Sequence, residues 1–156
     1  MVERRTLAQI DEAFFDRVMS LNLKSTFLMT RAAVPYMPRG SAIVNLSSQA
    51  GRDGGGAGAS IYATAKGAVS TFTRVMAKEL GLRGTCVNAV CPGMISTSFH
   101  DMFSKPEVRT TVAGATPLRR EGKASEVAEV VACLASTDGS FLKAVNLDVN
   151  GGLLFS

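Results

Sequence analysis

The 156-residue chain is 46% hydrophobic and 19% charged, enough apolar material for one buried core and the size of a single domain or a piece of a larger one. Its net charge of +4 is scattered rather than clustered and only 6% of residues are aromatic, which argues against a dedicated nucleic-acid surface. One histidine, His100, excludes an HExxH zinc site and a Ser/His/Asp triad within the chain, and no apolar run reaches membrane-spanning length.

The opening MVERRTLAQIDE is charged and lacks the apolar core of a secretory signal. Three cysteines without CxxC or zinc-type spacing point the same way, to a cytoplasmic protein in which Cys86, Cys91 and Cys133 are reduced and partly buried. Asp11 is placed to cap a long helix running toward Pro35 or Pro38, with Phe14, Phe15, Val18, Met19, Leu23, Phe27 and Leu28 at helical spacing and Asn22 in its middle. SAIVNLS, residues 41 to 47, reads as a strand buried on both faces, and the glycine-rich loop GRDGGGAGA follows it. Ser60 caps a second helix to about Leu80, whose inward stripe is Ala65, Ala68, Phe72, Val75 or Met76, and Leu80.

GTCVNAVCPG is a second strand ending at Pro92. Residues 94 to 122 show no sustained period and read as a long functional loop with short helical pieces, of the kind that covers a pocket. Ser125 opens a third helix to about Ala135, with Glu126 and Glu129 favourable to its dipole, and VNLDVNGG at 145 to 152 is a last strand and turn. Alternating strands and helices imply a parallel α/β sheet of right-handed crossovers, with no internal repeat or linker.

Two features of the middle of the chain carry candidate chemistry. Gly54, Gly56 and Ala59 fit GxGxxA, a dinucleotide phosphate-loop spacing, but that fingerprint needs an acidic residue at the end of the next strand and none occurs between Glu79 and Asp101. A flexible strand-to-helix connection is the better reading of these glycines. In SIYATAKGAV, Tyr62 and Lys66 are four apart, so one helical face brings an ammonium near a phenol and favours its ionised form, one way to make tyrosine a proton carrier.

Asn22 in a long helix, Ser48 at the end of a strand, Tyr62 and Lys66 opening the next helix, and PGMIST after the following strand together resemble the short-chain dehydrogenase/reductase family. The likeness runs from TFLMTRAA through NLSSQAG and YATAKGAV to VNGG, and looks closest to the 3-oxoacyl-carrier-protein reductases and glucose or polyol dehydrogenases. It implies a Rossmann-like parallel sheet with flanking helices, NAD or NADP as cofactor and a small carbonyl/alcohol substrate. It also implies four catalytic residues: Tyr62 transfers a proton to or from the substrate oxygen, Ser48 hydrogen-bonds that oxygen, Lys66 lowers the tyrosine pKa and holds the nicotinamide ribose, and Asn22 anchors a water. Pro92 and Gly93 then shape the cofactor turn, with the Ile95 backbone and the Thr97 hydroxyl near the carboxamide or phosphates. Ser47 is a rival to Ser48, which the family pattern favours because it lies two residues before the Ala50–Gly51 pair. The helices carrying Asn22 and Tyr62 commonly form a four-helix interface in this family, so a homotetramer is implied, with no nucleic-acid, membrane or metal partner.

The family's TGxxxGxG loop and NNAG motif are not in these residues. By comparison with typical domain lengths, residues 1 to 156 look like the C-terminal part of one such domain, with about 100 residues of its N-terminal part missing. On that expectation the 41–47 strand presents an open edge and the chain alone is poorly soluble or self-associating and inactive. Two rival readings are a non-catalytic remnant serving as an oligomerisation module and a phosphate-binding half built on Gly54 and Gly56. Phe99, Met102 and Phe103 beside His100, Lys105, Arg119 and Arg120 suit an acyl chain on a phosphorylated carrier, or a loop that only closes over the site.

Overall fold

Asp11 accepts a hydrogen bond from the Phe14 N–H at 2.7 Å and so caps α1, Glu12–Met19. In the computed structural model, which describes residues 3–155 apart from the side chains of Phe99 and Phe103, the helix does not stop there. It widens into a π turn at Ser20–Lys24, where the Ser25 N–H reaches the Ser20 carbonyl, and resumes as α2, Ser25–Ala33. A 3₁₀ turn, Val34–Tyr36, ends it at Pro35, in line with the expected stop.

The strands are β1 (Ala42–Leu46), β2 (Cys86–Pro92) and β5 (Asn146–Val149), all parallel in the order β1-β2-β5. Ala42 pairs with Cys86 and Leu46 with Val90, while Ala89 pairs with Asn146 and Pro92 with Val149. Between them run α3 (Ala50–Asp53), α4 (Ser60–Glu79) and, before β5, α7 (Ala124–Ala135). The parallel sheet with flanking helices matches the expected class. Inside the 94–122 segment the structure has α5 (Ser98–Phe103) and α6 (Pro106–Ala115), together with two short strands, β3 (Ile95–Ser96) and β4 (Gly122–Lys123), that pair in parallel with each other. Sequence pattern supplies the helical pieces but not that pair, because two residues cannot show a period.

Buriedness centres on β2. Val87, Ala89, Val90 and Cys91 are fully enclosed, with Val18 and Val69 packed inside as well. β1 corrects the expectation of a strand buried on both faces: it is an outer strand of the described sheet, its residues 42 to 44 are half-buried and Leu46 is 56% exposed. Of the cysteines, all free, Cys91 is buried and Cys86 half-buried, but Cys133 lies exposed on α7.

Two buried asparagines tie the elements of this core together. Asn45 donates to Thr73 Oγ1 at 2.9 Å, and Thr73 donates to Val69 O, tying β1 to α4. Asn88, fully buried in β2, donates to Leu142 O at 2.8 Å and accepts from Val145 N at 3.0 Å, which stitches the approach to β5 onto the central strand. Asn88→Ala orphans both of those backbone groups, so a loss of about 3 kcal/mol is expected, read as a lower midpoint in urea unfolding. An unchanged midpoint would show that the stitch contributes nothing.

Candidate active site

α3 lies on α4 closer than side chains permit. A Cβ on Gly51 would fall 2.6 Å from Gly67 N and 2.7 Å from Lys66 C, so the two backbones touch directly. Ser47, at the end of β1, adds a second tie by donating to Lys66 O at 2.8 Å and sharing a bond with Ser70 Oγ at 2.8 Å. The loop between β1 and α3 is thereby pressed against the first turns of α4, and Ser48 is brought to Tyr62.

The two serines part company here. Ser47 is 2% exposed and consumed by α4, whereas Ser48 lines an open cleft together with Tyr62, accepts from Ala50 N at 3.2 Å and pulls the phenol's pKa down. Strand alternation carries a signal for this, since Asn45 and Ser47 share the face that meets α4.

Lys66 is buried, with Nζ 5.7 Å from the centroid of the Tyr62 ring and donating to Leu46 O at 2.7 Å. The i, i+4 spacing therefore does stack the pair. Its electrostatic result differs from the expected depression of the phenol. Burial raises the Tyr62 pKa above the ordinary 10.0, with the Ser48 hydrogen bond pulling the other way, and burial lowers that of Lys66, opposed by Cys91. The ammonium is turned onto a backbone carbonyl, so desolvation outweighs it at the phenol.

Asn22 sits in the π turn, 8% exposed, donating from Nδ2 to Val18 O at 2.9 Å, while its backbone carbonyl accepts from Thr26 Oγ1 at 2.8 Å. It lines the same cleft, about 670 Å³ in volume, as Ser48, Tyr62 and Lys66. The wall formed by Pro92, Gly93, Ile95 and Thr97 belongs to that cleft too. Pro92 O accepts from Gln49 N at 3.0 Å, Gly93 N donates to Val149 O at 3.1 Å, and Thr97 Oγ1 donates to Ile95 O at 3.3 Å. Asn22, Ser48, Tyr62, Lys66, Pro92, Gly93, Ile95 and Thr97 thus line one cavity, whereas Met102, Lys105, Arg119 and Arg120 are not among its lining residues.

This wall fits a nicotinamide group. A Cβ on Gly93 would press to 2.8 Å from Asn150 Cβ and 3.0 Å from Gln49 Oε1, so the glycine is needed where strand and loop converge, and Gln49 Oε1 is a buried acceptor with no partner among the described residues. Sequence reasoning missed Gln49, whose position two residues before Gly51 gives no chemical signal by itself. It also missed Arg4, which lines the cleft from the start of the chain, and left His100 between a substrate-contacting and a merely covering loop. His100 shares a hydrogen bond with Ser104 Oγ at 2.7 Å, and burial lowers its pKa, with Glu121 opposing, Arg109 and Arg4 reinforcing, and Asp101 opposing.

Over the cleft, Arg109 of α6 holds the covering segment together with a two-pronged contact to Glu121, at 2.6 and 2.7 Å, and a 2.6 Å bond to Asp101 of α5. The expectation that Phe99 and Phe103 contribute here falls on side chains outside the described residues. Among the described residues no helix is long and apolar enough to cross a membrane.

A model of the family described as enoyl-(acyl carrier protein) reductase matches residues 1–154. The chain is 39% identical over 150 residues to 3-oxoacyl-[acyl-carrier-protein] reductase of Thermotoga maritima, covering 95% of this chain and 60% of that protein. It is 38% identical to (3R)-3-hydroxyacyl-CoA dehydrogenase of Rattus norvegicus, over 94% of this chain and 57% of the relative. Among solved structures, a short-chain dehydrogenase/reductase of the glucose/ribitol dehydrogenase type from Brucella melitensis superposes with a TM-score of 0.94 at 33% identity, covering 100% of this chain and 62% of that one. The chain therefore spans about three fifths of the length of the relatives it matches. On sequence and fold alike, it belongs to the short-chain dehydrogenase/reductase family of oxidoreductases.

Proposed function

We propose that residues 1–156 form the C-terminal part of a short-chain dehydrogenase/reductase domain that interconverts a carbonyl and an alcohol with NAD or NADP, and that they do not turn over the cofactor on their own. The observation carrying this reading is the meeting of Ser48, Tyr62 and Lys66 in one cleft with the Pro92–Thr97 wall. When bound, the nicotinamide supplies or accepts the hydride. Pro92, Gly93, Ile95 and Thr97 would hold it, with Lys66 and Tyr62 lining the same cleft. Substrate is a small carbonyl compound or the matching alcohol; the names of the relatives favour acyl chains on a carrier.

The proton steps belong to the chain's own residues. Burial keeps the Tyr62 phenol protonated near neutral pH, so in the reducing direction it is loaded to donate to the substrate oxygen. Ser48, beside Tyr62 in the cleft, presents its hydroxyl to the same oxygen and fixes the substrate's angle of approach. Lys66, desolvated and held on Leu46 O, returns positive charge near the phenol as the proton leaves. Asn22 closes this side of the cleft from the π turn and anchors the solvent route to Lys66.

A second reading, an oligomerisation module without catalysis, draws on the α1–α2 helix, where Leu21, Phe27, Leu28 and Met29 are apolar yet substantially exposed. The two are compatible in a homotetramer built through these helices and α4. The location is cytoplasmic.

In the protein carrying the complete domain, Tyr62→Phe is expected to cut kcat/KM by at least about 100-fold, the usual scale of a general acid, while NAD(P)H binding by fluorescence titration is retained. Turnover unaffected by the substitution would remove Tyr62 from the proton step. Sedimentation velocity is expected to show a tetramer, and Leu21→Glu with Met29→Glu to shift it to smaller species; a wild-type monomer would refute the helical interface.

A further inference from the structure

The glycine loop set aside as a phosphate cradle has another use. Arg5 N donates to Gly58 O at 3.1 Å, so the first described residues run alongside residues 56 to 58, and Arg4 Nη1 donates to Ala57 O at 3.0 Å. The glycines make room for this: a Cβ on Gly56 would come within 2.9 Å of Arg4 Nη1, and one on Gly58, where φ is +79°, within 3.0 Å of Arg4 Cβ. The loop is a seat for an arginine that lines the cleft.

The charges around it are already committed. Asp53 accepts from Gln49 Nε2 at 2.8 Å and from Gly55 N at 2.7 Å, Lys66 is held on Leu46 O, and Arg109 takes both Glu121 and Asp101. The acids nearest in sequence, Glu3 and Asp11, pair with Arg5. Among the described residues, no carboxylate forms an ion pair with Arg4. One N–H of its five-donor fork is used by Ala57, which fixes the guanidinium while leaving most of the fork open to the cleft.

We propose that Arg4 is an anion subsite of the substrate cleft: the substrate carries a carboxylate or phosphate that docks on this guanidinium while its carbonyl lies at Ser48 and Tyr62. A planar fork held at a cleft wall favours bidentate capture of an oxyanion. The carbonyl half of the statement rests on the oxidoreductase reading, whereas capture of the anion does not. The subsite makes the chain selective for charged over neutral carbonyl compounds.

His100, the chain's only histidine and a lining residue of the same cleft, is a ready reporter. Its ring resonances in the full chain are followed by NMR at constant ionic strength and pH during titration with acetoacetate, methyl acetoacetate or inorganic phosphate. Acetoacetate or phosphate is expected to bind the wild type and Arg4→Lys, and about tenfold more weakly Arg4→Gln, the scale of a lost charged hydrogen bond. Whichever of the two binds more tightly identifies the anion as carboxylate or phosphate. Gly56→Ala, whose new methyl meets the flexible end of Arg4 first, is expected to weaken the anion as well without unfolding the chain. Methyl acetoacetate is expected to be indifferent to all three substitutions. Equal anion affinity in wild type and Arg4→Gln, or no anion binding at all, would overturn the subsite. Because binding is read rather than turnover, a failure of the Tyr62 proton role leaves this result standing, and the reverse holds too.

Discussion

The site depends on a place where two backbones touch. Gly51 in α3 meets Gly67 and Lys66 in α4 at a distance that no side chain could share, and Ser47 adds a buried hydrogen bond to Lys66 O beside it. A hydroxyl on one segment and a phenol on another bond only if the segments are fixed to within a few tenths of an ångström. The glycine contact and the serine tie supply that fixity, and the placement of Ser48 beside Tyr62, close enough to pull down the phenol's pKa, is its outcome. Arg52, also on α3, extends the brace across the sheet through an ion pair with Asp148 at 2.8 Å and a bond to Asn146 O.

Burial then decides the electrostatics. Tyr62 and Lys66 are both withdrawn from water, so each is pushed toward its neutral form, the phenol upward and the amine downward. Near neutral pH this leaves the phenol a loaded donor. The ammonium's hold on Leu46 O explains why stacking one turn apart is not enough to reverse the effect of desolvation. Helical spacing brings two groups together, but where the second group spends its charge depends on the strand beside it.

Much of this frame was legible in the residues. The cap at Asp11, the helix from Ser60, the strand ending at Pro92 and the stacking of Tyr62 on Lys66 follow from local spacing, because each reports on its own neighbours, whereas grouping Asn22 and Ser48 with that pair took the family resemblance. The π turn at Ser20–Lys24 was hidden, since SLNLK keeps the composition of an ordinary helix. The outer position of β1 agrees with the open edge expected of it, but its half-exposed faces were hidden, because an apolar run reports what a strand can bury and its neighbours determine what it does bury. The glycine loop shows the limit most clearly. Its spacing invited a phosphate, and its actual neighbour, Arg4, lies some fifty residues away along the chain.

The central claim is that the Gly51 contact delivers Ser48 to Tyr62. In a Tyr36→Phe background, Tyr62 is the sole tyrosine, and its ionisation is read directly by ultraviolet titration. The account predicts a midpoint above 10.0, raised further by Ser48→Ala because the opposing hydrogen bond is lost. Gly51→Ala should raise it as far, and the double variant no further, as expected for two substitutions that break one interaction. A midpoint unmoved by Gly51→Ala, or effects that simply add, would contradict it.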